Sequence, residues 1–281
     1  MSRTERETFP PFPEPLPVPV VDNHCHLNIT RDGSPPVDVQ DAIDAAAFVG
    51  VDRMVQIGCD RESAQWTVDT VIEHEELLGG VALHPNEVPI HAEMDELDEV
   101  LEEIENLSRH DRIRVIGETG LDYFRTGPEG IAIQQEAFRW HIELAKRTDK
   151  ALQIHDRDAH ADVLRILAEE GAPEKTVLHC FSGDVEMARE CVERGYYLSF
   201  SGTVSFKNAQ PLRGAMAVVP PHQLLVETDA PYLTPHPHRG APNAPYLVPL
   251  TVRAMASSLD MDVVDLCKAI CDNSTRVYGQ W

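Results

Sequence analysis

The segment VETDAP, residues 226–231, is the part of this sequence from which the fold can be predicted. The three residues at 224–226 are apolar and are typical of a buried strand. Pro231 ends that strand, because proline has no N–H to give to a central sheet ladder. Asp229 is thereby predicted at the carboxyl end of a strand, where barrels and doubly wound sheets carry their chemistry.

Four other strand-like runs also end in residue types that bind metal ions. The first run ends in the pair His24 and His26, and the other three end at Glu118, His155 and His179. Parallel strands bring their carboxyl ends to one face of a sheet. The five strand ends therefore predict one site, around which the rest of the chain is organised.

Strand-like runs and helical patterns alternate through most of the chain. Eight strands, each followed by a helix, predict a parallel sheet closed into a (β/α)8 TIM-type barrel. A doubly wound open sheet is the alternative, but the chain lacks a Gly-rich phosphate loop. The predicted strands lie near residues 18–26, 51–58, 79–84, 113–118, 150–155, 176–180, 196–201 and 223–229.

The two ends of the chain have distinct compositions. Residues 1–17 contain five prolines and predict a disordered or polyproline leader without helix or paired strand, which is favoured over a docking motif. Residues 18–281 are predicted to form a single domain. Within this domain, the proline-rich stretch 231–249 predicts a stiff loop over the barrel face, and 250–279 predicts extra C-terminal helices.

Length and composition narrow the class of protein. With 281 residues and 42% hydrophobic residues, the chain can bury one large core. No apolar run approaches the roughly 18–20 residues of a membrane span. The N-terminus does not resemble a signal segment, so we expect a cytoplasmic protein without a membrane partner.

The net charge of −23 argues against a nucleic-acid partner held by a broad basic surface. A polyanionic substrate would have to be held by local positive charge, which bound metal could supply. The cysteines contain no Cys-x-x-Cys pair. Cys25 and Cys180 stand beside histidines, and small buried side chains are favoured for them over zinc ligands.

The ligand types fit a pair of metal ions. His24 and His26 alternate along a strand and can therefore face the same way. Glu118 follows a buried run between Gly117 and Gly120, and a buried carboxylate needs a partner such as a cation. Four histidines and two carboxylates suit two divalent ions, with Glu118 able to bridge them. Asp122 is predicted either to support the site or to cap a helix.

Five blocks resemble the signature motifs of the TatD family of metal-dependent deoxyribonucleases, which have amidohydrolase-like barrels. Matches at LHP (83–85) and NSTR (273–276) extend the resemblance over residues 18–279. The five blocks are DNHCHL (22–27), GETGLDY (117–123), IHDRDA (154–159), HCFSG (179–183) and ETDAPYL (227–233).

The resemblance implies a role for each ligand. One metal ion would be held by His24, His26 and Asp229, the other by His155 and His179, with Glu118 between them. It also implies hydrolysis of phosphodiester bonds, in the 3′ to 5′ direction on single-stranded or damaged DNA. Hydroxide on the metal would be the nucleophile, and Asp229 would orient the water and take its proton.

Positive side chains predicted at the same face could bind the neighbouring phosphates, although each could equally be an ordinary surface charge. The alternative activity is that of an ester or amide hydrolase of the same superfamily, such as an aminoacyl-ester or lactone hydrolase. A non-catalytic binding protein is disfavoured because all six ligands are present. Mg²⁺, Mn²⁺ and Zn²⁺ all remain candidates, a monomer is favoured, and DNA repair is among the compatible pathways. The positive side chains are His84, Arg125, Arg157, Lys207 and Arg239.

Overall fold

Eight parallel strands follow one another around the sheet in the order of the chain. The structure is a computed structural model that describes residues 8–31 and 37–281. The predicted barrel is confirmed, with the third strand two to three residues earlier than the predicted run. The strands are β1 Val20–Cys25, β2 Val51–Gly58, β3 Leu77–Val81, β4 Ile113–Asp122, β5 Ala151–Arg157, β6 Thr176–Leu178, β7 Tyr197–Phe200 and β8 Leu224–Val226.

Helices lie between the strands and after the last strand. Aspartates at 38, 60, 184 and 262 cap α1, α2, α7 and α10 by accepting backbone N–H groups of the first turn. The predicted C-terminal helices are α9 and α10. The helices are α1 Val39–Phe48, α2 Arg61–Glu73, α3 Val88–Glu93, α4 Leu97–Ser108, α5 Pro128–Thr148, α6 His160–Glu170, α7 Val185–Glu193, α8 Gln210–Met216, α9 Val248–Leu259 and α10 Val263–Tyr278.

The barrel closes between its first and last strands, at the residues that were predicted to bind metal. The N–H of Asp229 donates to the carbonyl of His24 at 3.0 Å, and the N–H of His26 donates to the carbonyl of Ala230 at 2.8 Å. These bonds continue the sheet just beyond the end of β8. The backbone that completes the barrel therefore also sets the spacing of three predicted ligands.

The interior of the barrel is sealed by the last helix. Tyr278, at the end of α10, is 2% exposed and packs with strand residues such as Val21, Val115 and Leu225. Its hydroxyl reaches the side chains of Asn23 and Gln153, each at 2.8 Å. A second, larger apolar cluster fills the space between the strands and the helices.

The proline-rich loop after β8 folds back on its own start. The side-chain amide of Asn243 donates to the carbonyl of Thr228 at 2.9 Å and also to the carbonyl of Tyr232. Part of the loop, including Tyr232 and Leu233, lines the cleft above the carboxyl ends of the strands. This is the position predicted from its composition.

The prediction of a disordered leader is wrong for residues 8–17, whereas residues 1–7 lie outside the described part. Residues 8–17 form no helix or strand, as predicted, but they pack against the barrel. Leu16 is 7% exposed and its N–H donates to the carbonyl of Val49 at 2.9 Å. The guanidinium of Arg253 donates to the carbonyls of Glu14 and Pro15 at 2.8 and 3.0 Å. Proline prevents regular structure here, but side chains of the barrel satisfy the backbone carbonyls.

We predict that Arg253→Ala lowers the free energy of unfolding by about 1–2 kcal/mol, because it removes two charge-assisted hydrogen bonds to the segment. Urea unfolding followed by circular dichroism measures this. Arg189→Ala is the matched control, since Arg189 is exposed on α7 and has no partner among the described residues. Equal stability of the two variants would show that the segment is not anchored.

Candidate metal centre

The first group of ligand atoms lies where β1, β4 and the end of β8 meet. The Nε2 atoms of His24 and His26 are 3.2 Å apart. Oε2 of Glu118 lies 3.6 and 3.9 Å from these two nitrogens, and Oδ1 of Asp229 lies 3.8 and 3.5 Å from them. Four ligands placed about 2.1 Å from a tetrahedral ion are about 3.4 Å apart. The spacing of the two histidines and Glu118 therefore fits one divalent ion, and Asp229 lies at a similar distance from both histidines.

The second group gathers around the other oxygen of Glu118. Oε1 of Glu118 lies 2.7 Å from Nδ1 of His155 and 2.7 Å from Nε2 of His179. Nε2 of His84 lies 3.6 Å from the same oxygen. Glu118 thus offers one oxygen to each group, which is the arrangement of a bridging carboxylate. His84, predicted as a phosphate contact, is also close enough to be a ligand of a second ion.

The ring orientation of the first two histidines is fixed by acceptors on their other nitrogens. Nδ1 of His26 lies 3.0 Å from the carbonyl of Ile57, which can only accept, so Nδ1 carries the proton. Nδ1 of His24 lies 2.8 Å from Oε1 of Gln153. The amide nitrogen of Gln153 donates to Asn23 and Tyr278, which leaves its oxygen to accept from His24. Both Nε2 atoms therefore keep a free lone pair for a metal ion.

Carboxylates orient the other two histidines. Nδ1 of His179 lies 3.2 Å from Oε1 of Glu227, and Nε2 of His155 lies 3.2 Å from Oδ2 of Asp122. Asp122 also accepts the backbone N–H groups of Phe124 and Arg125 through Oδ1. It therefore supports the site and the turn after β4. It does not cap α5, which begins at Pro128 with Gly127 as its N-cap.

Two of these supporting residues were missed in the sequence. Gln153 stands two positions before His155 in a buried strand, and Glu227 stands two positions before Asp229. Both are fully buried. The signal in the sequence was a polar residue two positions before a ligand on an apolar strand, so that both side chains face the same way. The histidine that each polar residue contacts is distant in the chain, so the contact cannot be predicted from sequence spacing.

Two glycines make room for Glu118 within the sheet. Gly120 has φ +134°, and a Cβ on it would lie 2.1 Å from the carbonyl oxygen of His155. A Cβ on Gly117 would lie 2.7 Å from Cβ of Gln153. A larger residue at either position would push apart β4 and β5, which carry Glu118 and His155.

The site concentrates negative charge that its histidines balance. Burial raises the pKa of Glu118, but His179, His84 and His155 hold that pKa well below its ordinary value. Burial lowers the pKa of His26, but the adjacent Asp229 and Glu118 carboxylates raise it overall to about 9. Asp122 and Glu118 likewise raise the pKa of His155 to about 9 against the effect of burial. Cations are thus favoured at both groups of ligand atoms.

The two cysteines that follow His24 and His179 in the sequence are not arranged as metal ligands. Cys25 is fully buried and its thiol contacts the carbonyl of Val55 at 3.6 Å. Cys180 contacts the hydroxyl of Ser201 at 3.4 Å. Burial raises the pKa of both thiols well above their ordinary value, which disfavours the thiolate form that binds metal.

An open cleft of about 570 Å³ lies over the two groups of ligand atoms. His84, Arg125 and Arg157 line this cleft together with five of the six predicted ligands, all except His24. Their contacts with phosphate stay a prediction. Lys207 and Arg239 do not line it. Both are exposed, and the guanidinium of Arg239 lies 4.5 Å from the centre of the Phe206 ring. Neither residue lies in the cleft over the metal centre, and the prediction that they bind neighbouring phosphates stays a prediction.

We predict that Gln153→Met lowers metal affinity about 10- to 100-fold, because His24 loses the acceptor that fixes its orientation. Titration of the metal-free protein with Zn²⁺, followed by calorimetry, measures the affinity. Tyr278→Phe is the control, since it leaves Oε1 of Gln153 on His24, and we expect a smaller loss. Unchanged affinity in Gln153→Met would show that this hydrogen bond does not orient the ligand.

Comparisons with known proteins agree with this geometry. The family model described as TatD related DNase matches residues 21–279. A Mycobacterium tuberculosis protein named uncharacterized metal-dependent hydrolase TatD is 46% identical over 265 residues, which cover 92% of this chain and 98% of that protein. The Bacillus subtilis metal-dependent hydrolase YabD is 36% identical over 259 residues, with coverage of 92% and 98%.

Solved structures show the same architecture. The TatD homologue YjjV from Escherichia coli K12 matches with a TM-score of 0.85 and 25% identity, covering 93% of this chain and 98% of that one. An organophosphorus hydrolase from Deinococcus radiodurans shares the fold at a TM-score of 0.64 and 12% identity, covering 94% of this chain and 93% of that one. From the family match and these relatives, the chain belongs to the TatD family of metal-dependent hydrolases.

Proposed function

We propose that the protein is a divalent-metal-dependent deoxyribonuclease that removes nucleotides from the 3′ end of single-stranded or frayed DNA. The observation that carries the proposal is the position of Glu118, which offers one oxygen to each of two groups of ligand atoms beneath an open cleft. Paired ions bridged in this way are typical of enzymes that hydrolyse phosphate esters.

The charges around the cleft favour a phosphate substrate. Arginines elsewhere on the surface, such as Arg61, Arg139 and Arg165, form ion pairs with glutamates or aspartates. By contrast, no carboxylate of the described residues lies within 4.0 Å of the guanidinium of Arg125 or Arg157. A chain with net charge −23 thus keeps free positive charge where the substrate would lie.

The reaction would use residues that already face the cleft. Divalent ions in the two ligand groups would activate water as the nucleophile and offset the charge that develops on the phosphate. Asp229 has a side chain that is 15% exposed and lines the cleft, so its carboxylate can accept the proton from that water. Arg157, which also lines the cleft, can donate hydrogen bonds to a phosphate oxygen.

The size and charge of the cleft favour strand ends over duplex. A volume of about 570 Å³ is of the size that holds a small ligand, so we expect a single strand end to enter the cleft more readily than a duplex. Few positive residues surround it, so binding should involve few phosphates and a shallow dependence on salt.

The part of the chain that the structure describes contains no helix able to cross a membrane.

We predict that metal-stripped protein shortens a 5′-labelled single-stranded oligonucleotide stepwise only after Mg²⁺, Mn²⁺ or Zn²⁺ is restored. Glu118→Gln should lower kcat at least about a hundredfold, because both ion sites lose a charged ligand. Glu136→Gln on the exposed face of α5 is the control. Hydrolysis of carboxylic esters or amides, with no cleavage of DNA under any metal, would favour the alternative activity.

We predict that His84→Ala and Arg157→Ala each raise KM for DNA, because each side chain lines the wall that would hold the phosphates. Arg157→Ala should also reduce the slope of log affinity against log salt by about one. Steady-state kinetics at several salt concentrations measure both effects, with Arg189→Ala as the control. Wild-type KM in both variants would remove these residues from the phosphate site.

A further inference from the structure

A second pocket of about 370 Å³ opens directly from the catalytic cleft. The two cavities share Cys180, Ser182 and Thr203 as lining residues. Cys180 follows the ligand His179 in the chain. The second pocket therefore adjoins the catalytic cleft next to a predicted metal ligand, so a nucleotide bound through its phosphate at the metal centre could extend toward it.

The lining of this second pocket is mostly apolar, unlike that of the catalytic cleft. Phe181 and Phe206 provide aromatic surface, and Pro211 and Leu212 from α8 complete the wall. Among its polar residues, Asp184 already caps α7 by accepting the N–H of Met187. We call this cavity the Phe206 pocket.

The backbone that carries Phe206 is held in place. The guanidinium of Arg213 donates to the carbonyls of Val204 and Phe206 at 2.9 and 2.8 Å. The N–H of Phe206 donates to the carbonyl of Thr203 at 3.0 Å. The pocket wall is thus preorganised, which lowers the entropic cost of binding.

Positive charge borders the Phe206 pocket. The guanidinium of Arg239 lies 4.5 Å from the centre of the Phe206 ring, yet Arg239 is not among the lining residues. Lys207 is exposed and adjacent to Phe206 in the chain. An apolar, aromatic pocket with cations at its border matches a nucleotide, which has a flat ring and a charged phosphate.

We propose that the Phe206 pocket binds the nucleobase of the 3′-terminal nucleotide, with the base against the Phe206 ring. This inference rests on the proposed nuclease function and adds a binding site for the base to it. The pocket would place Lys207 and Arg239 beside the nucleotide bound in it, and the neighbouring phosphate predicted for these two residues would belong to that nucleotide. Because stacking needs no particular hydrogen-bond pattern, the pocket should accept all four bases.

The test is a comparison of two proteins and two oligonucleotides. Metal-loaded wild type and Phe206→Ala are titrated against a 5′-labelled single strand whose last linkage is a phosphorothioate, with fluorescence anisotropy as the readout. The second oligonucleotide lacks only its 3′-terminal base. We expect the wild type to lose about 5- to 100-fold in affinity when that base is missing, and Phe206→Ala to lose little or nothing.

Matched variants complete the experiment. Phe206→Tyr should restore the effect of the base, whereas Phe206→Leu, which preserves apolar volume, should not. Phe48→Ala, at an exposed phenylalanine on α1, should behave as wild type. If the wild type binds DNA and Phe206→Ala loses as much affinity as the wild type when the base is missing, the base pocket is overturned and the nuclease proposal still stands. No binding or cleavage of DNA by wild type would overturn both.

Discussion

The closure of the barrel between β1 and β8 is the constraint on which the metal centre depends. Two backbone hydrogen bonds, from Asp229 to His24 and from His26 to Ala230, join the last strand to the first. Each of them involves a predicted ligand. The sheet cannot close in another register without moving Asp229 away from the two histidines, so the geometry of the site follows from that of the fold.

A polar network inside the barrel extends this constraint to the opposite end of the molecule. Tyr278 of α10 bonds to Gln153, and Gln153 orients His24. These groups are fully or almost fully buried, so leaving any of them without its partner would be costly. The last helix thus contributes to the orientation of a ligand that stands near the start of the chain.

An acidic protein can act on an acidic polymer when unpaired positive charge lies where the substrate binds. Here helix arginines such as Arg139 and Arg165 are paired with carboxylates, whereas Arg125 and Arg157 at the cleft are not. Together with divalent ions, such a site would hold one phosphate strongly and the rest of the strand weakly. This favours attack at an end, and an apolar pocket beside the centre would then supply the contact that long-range charge does not.

The sequence by itself determined the barrel and the strand ends at which the ligand residues lie. Apolar runs that end in His24, Glu118, His155 or Asp229 indicate buried strands and the points where they end, and both are local properties of the chain. Only the tertiary structure decided which groups orient those ligands, since His24 and Gln153 are 129 positions apart. It also decided that residues 8–17 pack on the barrel, because their order comes from Arg253 and Val49 rather than from their own composition. Likewise, only packing could distinguish Arg157, which lines the cleft, from Arg239, which lies on Phe206.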